Sequence, residues 1–187
     1  MKTAIAALAL LAVSAAHAEE YNTIQADKST VAFVYRQMNV PVEGRFGKFA
    51  AQLKFDPTKP AAATASIDID LASIDAGSAE ANDEVAGKLW FNTKTYPTAR
   101  FVAASFRSLG GNRYEAVGKL TIKGRTQDMT APFAFIGQGR SGVAEGALTI
   151  KRADFAIGEG VWADFGTVAN EVQIKFRLQA EAQPPRK

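Results

Sequence analysis

Val172-Gln173-Ile174-Lys175-Phe176-Arg177-Leu178-Gln179-Ala180-Glu181 is the stretch on which the fold class turns. Apolar and polar residues alternate along it with a period of two. One face is therefore greasy and the other charged, as in a strand with one side on a core and the other in water. Ala65, Ile67, Ile69 and Leu71 alternate in the same way with Ser66, Asp68 and Asp70. Weaker alternation runs through 30–39, 42–46, 48–55, 98–107, 113–123, 127–137 and 143–152. Turn signals separate these runs. Gly110-Gly111-Asn112 and the region of Lys123-Gly124-Arg125 read as tight hairpins, and 137–142 as a glycine-rich connection between strands. Asp56-Pro57 and Pro60 end the strand that holds Phe55. Strands at short, regular spacing joined by hairpins predict an all-β antiparallel barrel or sandwich of roughly eight long strands, not a βαβ fold. A barrel of about eight strands is just wide enough to hold one small ligand.

One segment, 72–97, breaks the pattern. Ser78 is placed to cap a short helix over 79–88, with Glu80 and Asp83 in the early turns where the helix dipole favours acids. Trp90 and Phe91 follow it. A long connection with its own helix and two large aromatics suits either a cover over a barrel end or a plug that completes the core.

The 187 residues amount to about one domain, and they include no Cys and a single His, His17. Lys2, an apolar run from Ala4 to Ala16 broken at Ser14, and the small residues flanking His17 have the layout of a secretory signal over 1–18. The run is too short to span a bilayer, which takes roughly 20 residues. Cleavage after Ala18 would leave a domain over 19–182, a polar proline-containing tail at 183–187 read as disordered, and no transmembrane segment. A periplasmic location is expected. A chain without His or Cys cannot build a Ser–His or Cys–His nucleophile, and it lacks the commonest metal ligands. No catalytic residue and no metal site are assigned.

The remaining motifs read as structural. Gly137-Gln138-Gly139-Arg140-Ser141-Gly142 matches a dinucleotide-binding string, but a strand follows it where a helix is required, so it is read as a hairpin loop. Asp68, Asp70, Asp75 and Asp83 lack EF-hand spacing and read as a solvated surface. Basic residues are interspersed with acidic ones, which argues against nucleic acid despite the formal charge of +3. The inward faces are more telling. Ala116, Gly118, Leu120 and Ile122, then Phe101, Ala103 and Ser105, then Met129, Ala131, Phe133 and Phe135 all mix small and large side chains. Such faces either leave an elongated apolar cavity or let small residues accommodate large ones opposite.

Taken in order, several strings resemble one family. They are Asp27-Lys28-Ser29-Thr30-Val31-Ala32-Phe33; Gly44-Arg45-Phe46 with Phe49; Ile67-Asp68-Ile69-Asp70 leading to Ser73-Ile74-Asp75; and Trp90-Phe91 before Tyr96-Pro97-Thr98-Ala99-Arg100-Phe101. Tyr114 to Gly124, then Arg152-Ala153-Asp154-Phe155-Ala156-Ile157-Gly158, and Val172-Gln173-Ile174 complete the series. Over about 21–182 the chain resembles the YceI-like lipid/polyisoprenoid-binding family. Where many relatives carry His-Leu this chain has Glu84-Val85, and where many carry Gly it has Ala156.

The resemblance implies a lipocalin-like, eight-stranded antiparallel barrel. It also implies an exported protein with a long-chain polyisoprenoid or isoprenoid quinone inside, and no covalent cofactor. The Trp-Phe and Pro-Thr-Ala-Arg-Phe strings resemble the branch associated with cytochrome b561-type membrane proteins, which that branch implies as a partner. On this reading the apolar interior is made by Phe33, Tyr35, Phe46, Phe49, Leu53, Ile67, Ile69, Leu89, Trp90, Phe91, Phe101, Gly118, Leu120, Phe133, Phe135, Leu148, Ile150, Phe155, Trp162, Ile174 and Phe176. Arg36, Arg152 and Asp154, with the Tyr35 hydroxyl, are expected near a ligand head group at the mouth. The rival expectation is a filled core that acts through surface contact with a membrane redox partner.

Overall fold

The computed structural model describes residues 19–182; the signal-peptide reading over 1–18 and the tail at 183–187 lie outside the described residues. The strands are β1 (Tyr21–Ile24), β2 (Thr30–Gln37), β3 (Val40–Phe46), β4 (Phe49–Lys54), β5 (Thr64–Asp70), β6 (Ile74–Asp75), β7 (Thr98–Gly110), β8 (Arg113–Ile122), β9 (Arg125–Gln138), β10 (Ser141–Lys151) and β11 (Glu171–Ala182), with one helix, α1 (Ala79–Ala86). All eleven strands belong to a single antiparallel sheet.

The sheet curls because two of its members are broken. β11 pairs with β2 through Gln173–Arg177 and with β1 through Ala180–Ala182, so β1 and β2 lie end to end along it. β3 runs beside β2, and Phe55, just past β4, bridges back to Tyr21 of β1. β4 then pairs with β5. Counting β1–β2 and β3–β4 as two kinked staves gives the eight of the expected barrel, with β6 as a two-residue addition beside β3. β1 and β6 are the strands that the periodicity missed, because four and two residues are too short to show a period.

Two features of β7 and β8 depart from simple alternation. The β7–β8 register shifts between Ala103 and Ser105, so Ala104 is an extra residue and the face reverses beyond it. Ser105, expected inside, is exposed, and Phe106 takes its place in the core. Opposite the bulge sits Gly118. A Cβ there would lie 2.2 Å from the Val102 carbonyl oxygen and 2.8 Å from the Ala103 Cα, so the bulge is tolerated only because Gly118 has no side chain.

The core divides between the two ends of the barrel. At one end Tyr21, Phe55, Phe106, Tyr114 and Phe135 pack with Ala116, Ala131, Ala180 and Ala182. Here the small residues do make room for rings. At the other end α1 and the segment 87–96 cover the barrel, with Trp90 buried beside Leu71, Phe155 and Val168. The side chain of Ser78 accepts from the Ala81 amide at 3.2 Å and caps α1 as expected. Among the described residues no helix is long and apolar enough to cross a membrane.

Candidate functional site

The inward faces of the staves do not meet along the axis. They enclose a cavity of about 650 Å³, the size of a site for one ligand. Rings form its floor. Phe55 stands 4.9 Å from Phe135 and 5.8 Å from Phe133 between ring centroids, both edge to face. Its walls are aliphatic and aromatic, contributed by almost every stave: Val31 and Phe33 of β2, Ile67 and Ile69 of β5, Phe101 of β7, Leu120 of β8, Leu148 of β10, and Ile174 and Phe176 of β11. Ile67, Phe101, Leu120, Ile174 and Phe176 point inward yet are only half buried, because they face the cavity rather than one another. On β11 the same stretch becomes fully buried at Ala180 and Ala182, where the floor closes over it.

Apart from Gln52 on β4, the exposed polar residues of the lining are Gln37, Ser78, Glu80 and Glu84. They gather where α1 meets the β2–β3 turn, and they mark the mouth. Directional contacts hold this mouth. The Tyr35 hydroxyl donates to the Ala76 carbonyl at 3.2 Å, and burial pushes that phenol's pKa up. The Ala76 amide donates to Asn82 Oδ1 at 2.6 Å, and Trp162 Nε1 donates to Glu84 Oε1 at 2.6 Å. Glu84 thus ties α1 to the segment 152–170. The Glu80 carboxyl is held below its ordinary range by its own backbone N–H and by the Ser78 hydroxyl, so this helix end is anionic at neutral pH.

Arg152 organises the segment 152–170. It is 1% exposed and its guanidinium is surrounded by main-chain oxygens. Nε donates to Ala169, Nη1 to Ile157 and Gly158, and Nη2 to Trp162 and Val168, at 2.7 to 3.2 Å. Those five partners use all five N–H donors of an arginine. The Trp90 and Phe165 rings lie over its charge at 5.5 and 5.0 Å. Burial lowers its pKa and the nearby Asp164 partly offsets that. Lys123 adds a second tie, donating to the Ala156 carbonyl at 2.6 Å and to Glu159 at 3.0 Å. Ala156 itself has φ +55°, a left-handed conformation that glycine adopts more readily than alanine. Trp90 Nε1 is a buried side-chain donor without an acceptor among the described residues, a state that costs about 1–3 kcal/mol.

Of the apolar residues expected inside, all line the cavity except Phe49, Leu89, Gly118 and Phe155. Phe49 packs instead into the cluster around Ile69 and Leu71. Leu89 is exposed and lies outside against Gly160. Gly118 abuts the β7 backbone, and Phe155 is sealed beneath the 152–170 segment. The polar expectations fare differently. Arg152 does line the cavity, but every donor it has is already engaged by carbonyls. Arg36 turns to the Asn39 carbonyl at 3.0 Å and Asp154 is exposed; neither reaches the cavity. A cavity of this size does not match the filled core of the rival expectation.

Sequence reasoning missed Phe55, Phe106 and Val168 in the lining, and it read Leu71 and Ile122 on apolar strand faces without assigning them to it. Phe106 was hidden by the bulge, and Val168 lies in a segment without periodicity. The glycine string at 137–142 is the β9–β10 hairpin, as read. The acidic set is dispersed: Asp68 pairs with Arg100, Asp70 caps the turn at Ala72, Asp75 pairs with Arg45, and Asp83 is exposed.

Comparison with known proteins places this architecture. A family model described as a YceI-like domain matches residues 22–180. A UPF0312 protein of Azotobacter vinelandii is 28% identical over 147 residues, covering 75% of this chain and 74% of its own. The crystal structure of Burkholderia cenocepacia BcnA superposes with a TM-score of 0.83 at 49% identity, covering 84% of this chain and 99% of that one. A polyisoprenoid binding domain from Saccharophagus degradans, implicated in plant cell wall breakdown, superposes with a TM-score of 0.68 at 18% identity, over 88% of this chain and 99% of its own.

Proposed function

The chain belongs to the YceI-like domain family, and from that premise we propose that it is an exported carrier. It holds the apolar chain of one polyisoprenoid-like lipid, such as an isoprenoid quinone, in the barrel interior. The observation that carries the reading is a single apolar cavity, floored by rings and walled by every side of the barrel, whose exposed polar lining is concentrated at one mouth. A neighbour of the same fold bears the name of a polyisoprenoid-binding domain, which supports the same ligand class.

Energetics favour a carrier over a trap. A tail of roughly 40 carbons represents about 30 kcal/mol of transfer from water at ~0.8 kcal/mol per buried methylene. Affinities saturate near −18 to −21 kcal/mol, and the competing phase for such a ligand is a bilayer, not water. Transfer between membrane and barrel is then close to balanced. The apolar chain runs toward the Phe55 floor and the polar end stays at the α1 mouth, within the reach of Gln37 and Ser78. An acceptor oxygen brought to Trp90 would also satisfy its unpaired Nε1.

Organic extraction and mass spectrometry of protein purified from its native host test the reading. A single long-chain apolar lipid is expected, with the chain beginning at Glu19. Ile67→Trp, which enters open space, is expected to abolish that lipid while leaving the fold intact by circular dichroism. Reproducible absence of apolar ligand from the unmodified protein would overturn the proposal. Gly118→Leu is not a substitute, because its side chain would strike the Val102 backbone and not the cavity.

A further inference from the structure

We propose that the rim of the mouth is a bilayer-docking surface. Met38, Val161 and Phe165, flanked by Val40 and Leu89, would enter the interfacial layer of a membrane, so that a lipid passes between leaflet and cavity without crossing water. The inference rests on the lipid-carrying reading and adds the surface that the exchange uses.

Val161 at 82% and Met38 at 74% are the most exposed large apolar side chains among the described residues, and Val40, Phe165 and Leu89 are also exposed. They come from three separate segments that the backbone ties together. The Met38 amide donates to the Thr167 carbonyl at 2.8 Å, and Gln37 bridges Val168, which joins the β2–β3 turn to the loop carrying Phe165. The amides of Gly158 and Glu159 both donate to the Leu89 carbonyl at 2.8 Å, which joins the same loop to the turn after α1. Trp162, next to Val161, lines the cavity and clasps Glu84 at the mouth. The apolar rim and the opening are therefore one feature. Exposed apolar patches of this kind mark surfaces that meet another apolar phase.

Met38 strengthens the case. It holds φ +49° at the first of two left-handed positions in the β2–β3 turn, where Asn or Gly would be at ease. A bulky apolar side chain in a strained and exposed position gains nothing for the fold. A local rule broken without structural benefit points to function.

The occupant is a bilayer because of what the cavity exchanges. A ligand leaving through water would expose its whole apolar chain, whereas a docked rim removes that barrier. The charges beside the rim decide which bilayer. Glu80, Asp83 and Glu84 outnumber Arg36 and Lys88, while Asp164 lies beside the buried Arg152 charge and Glu159 is paired with Lys123. Docking is thus by apolar insertion, and an anionic surface opposes it at low salt.

Flotation of the mature chain with phosphatidylcholine vesicles tests the surface, alongside transfer of a fluorescent polyprenol between vesicle populations. The protein is expected to float with neutral vesicles and to bind less to vesicles containing phosphatidylserine at low salt. The Met38→Ser/Val40→Ser/Val161→Ser variant, which spares Phe165 because its ring lies over the Arg152 charge, is expected to lose binding and transfer by about tenfold, equivalent to ~1.4 kcal/mol of interaction. Its lipid content on purification should stay unchanged. Ile136→Ser, exposed on the opposite part of the sheet, should change neither. Val161→Ser alone provides a second variant if the triple change impairs folding. Unaltered vesicle binding and transfer in the rim variants would overturn the proposal. So would a wild-type protein that ignores vesicles and buries the rim in a dimer or against a protein partner. Loss of vesicle binding in the variant from a protein that carries no lipid would sink the carrier reading and leave the docking surface standing.

Discussion

The two ends of the barrel are closed by different physics. At the floor, Tyr21, Phe55, Phe106, Tyr114, Phe133 and Phe135 fill the space with rings, most of them in edge-to-face contact and Tyr114 stacked on Phe133, backed by alanines that let them approach. At the mouth, closure depends on a few directional contacts: the carbonyl cage of Arg152, the Trp162–Glu84 clasp, and the Tyr35–Ala76 bond. Ring packing spreads its stabilisation over many weak contacts and has no single release point. A hydrogen-bonded cover can open when one or two bonds yield. The contrast teaches that one end is closed by distributed ring packing and the other by a few directional hydrogen bonds.

Substitutions at the two ends should separate stability from exchange. The largest effect is expected from Phe55→Ala, which leaves a hole in the floor. It should cost about 3–5 kcal/mol in urea unfolding while the mouth exchanges ligand at its usual rate. Arg152→Lys comes next. An ammonium has three donors and cannot reach five carbonyls, so about 3 kcal/mol should be lost. Here the loss should appear as faster hydrogen exchange at the Ile157 and Gly158 amides and as faster ligand release. Equal protection of those amides in the variant would refute the cage as the element that orders the loop.

Glu84→Gln should have a smaller and more local effect. It weakens a charge-assisted bond by about 1 kcal/mol, speeds ligand exchange by about fivefold, and barely moves the unfolding midpoint. A Glu84→Gln/Trp162→Phe double-mutant cycle should assign that change to the pair. The smallest effect has the opposite sign. Ala156→Gly relieves a left-handed alanine and should stabilise the chain by about 0.5–1 kcal/mol, measured by urea midpoint. A loss of stability there would mean that the Ala156 methyl contributes more than its backbone strain costs.

The elements that build both ends of the barrel are legible in the sequence. The alternation in Val172–Glu181 identified a strand with one wet face, and Ser78 with Glu80 announced the helix. The residues that line the cavity were mostly found by reading the apolar face of each strand. What escaped did so for identifiable reasons. The extra residue at Ala104 reverses β7, so Ser105 and Phe106 exchange faces without any break in composition. Arg152 looked like a ligand for a head group because an arginine near a strand end usually meets solvent. Its actual partners, Ile157, Gly158, Trp162, Val168 and Ala169, come from a loop with no periodic signal. Phe155 and Phe49 had the right chemistry for the interior and sit in it, but behind the wall.

By itself, the sequence determined the class of the fold, the separation of wet and apolar faces, and the absence of histidine and thiol chemistry in the domain. These follow from residue type and local spacing, because a strand's side chains alternate whatever its neighbours do. Tertiary structure alone decided that the faces stand apart and leave a cavity, that one end is packed with rings and the other held by directional hydrogen bonds, and that exposed apolar residues come from three segments tied to one another. Each of those depends on how a curled sheet closes on itself, a long-range condition that no window of sequence contains.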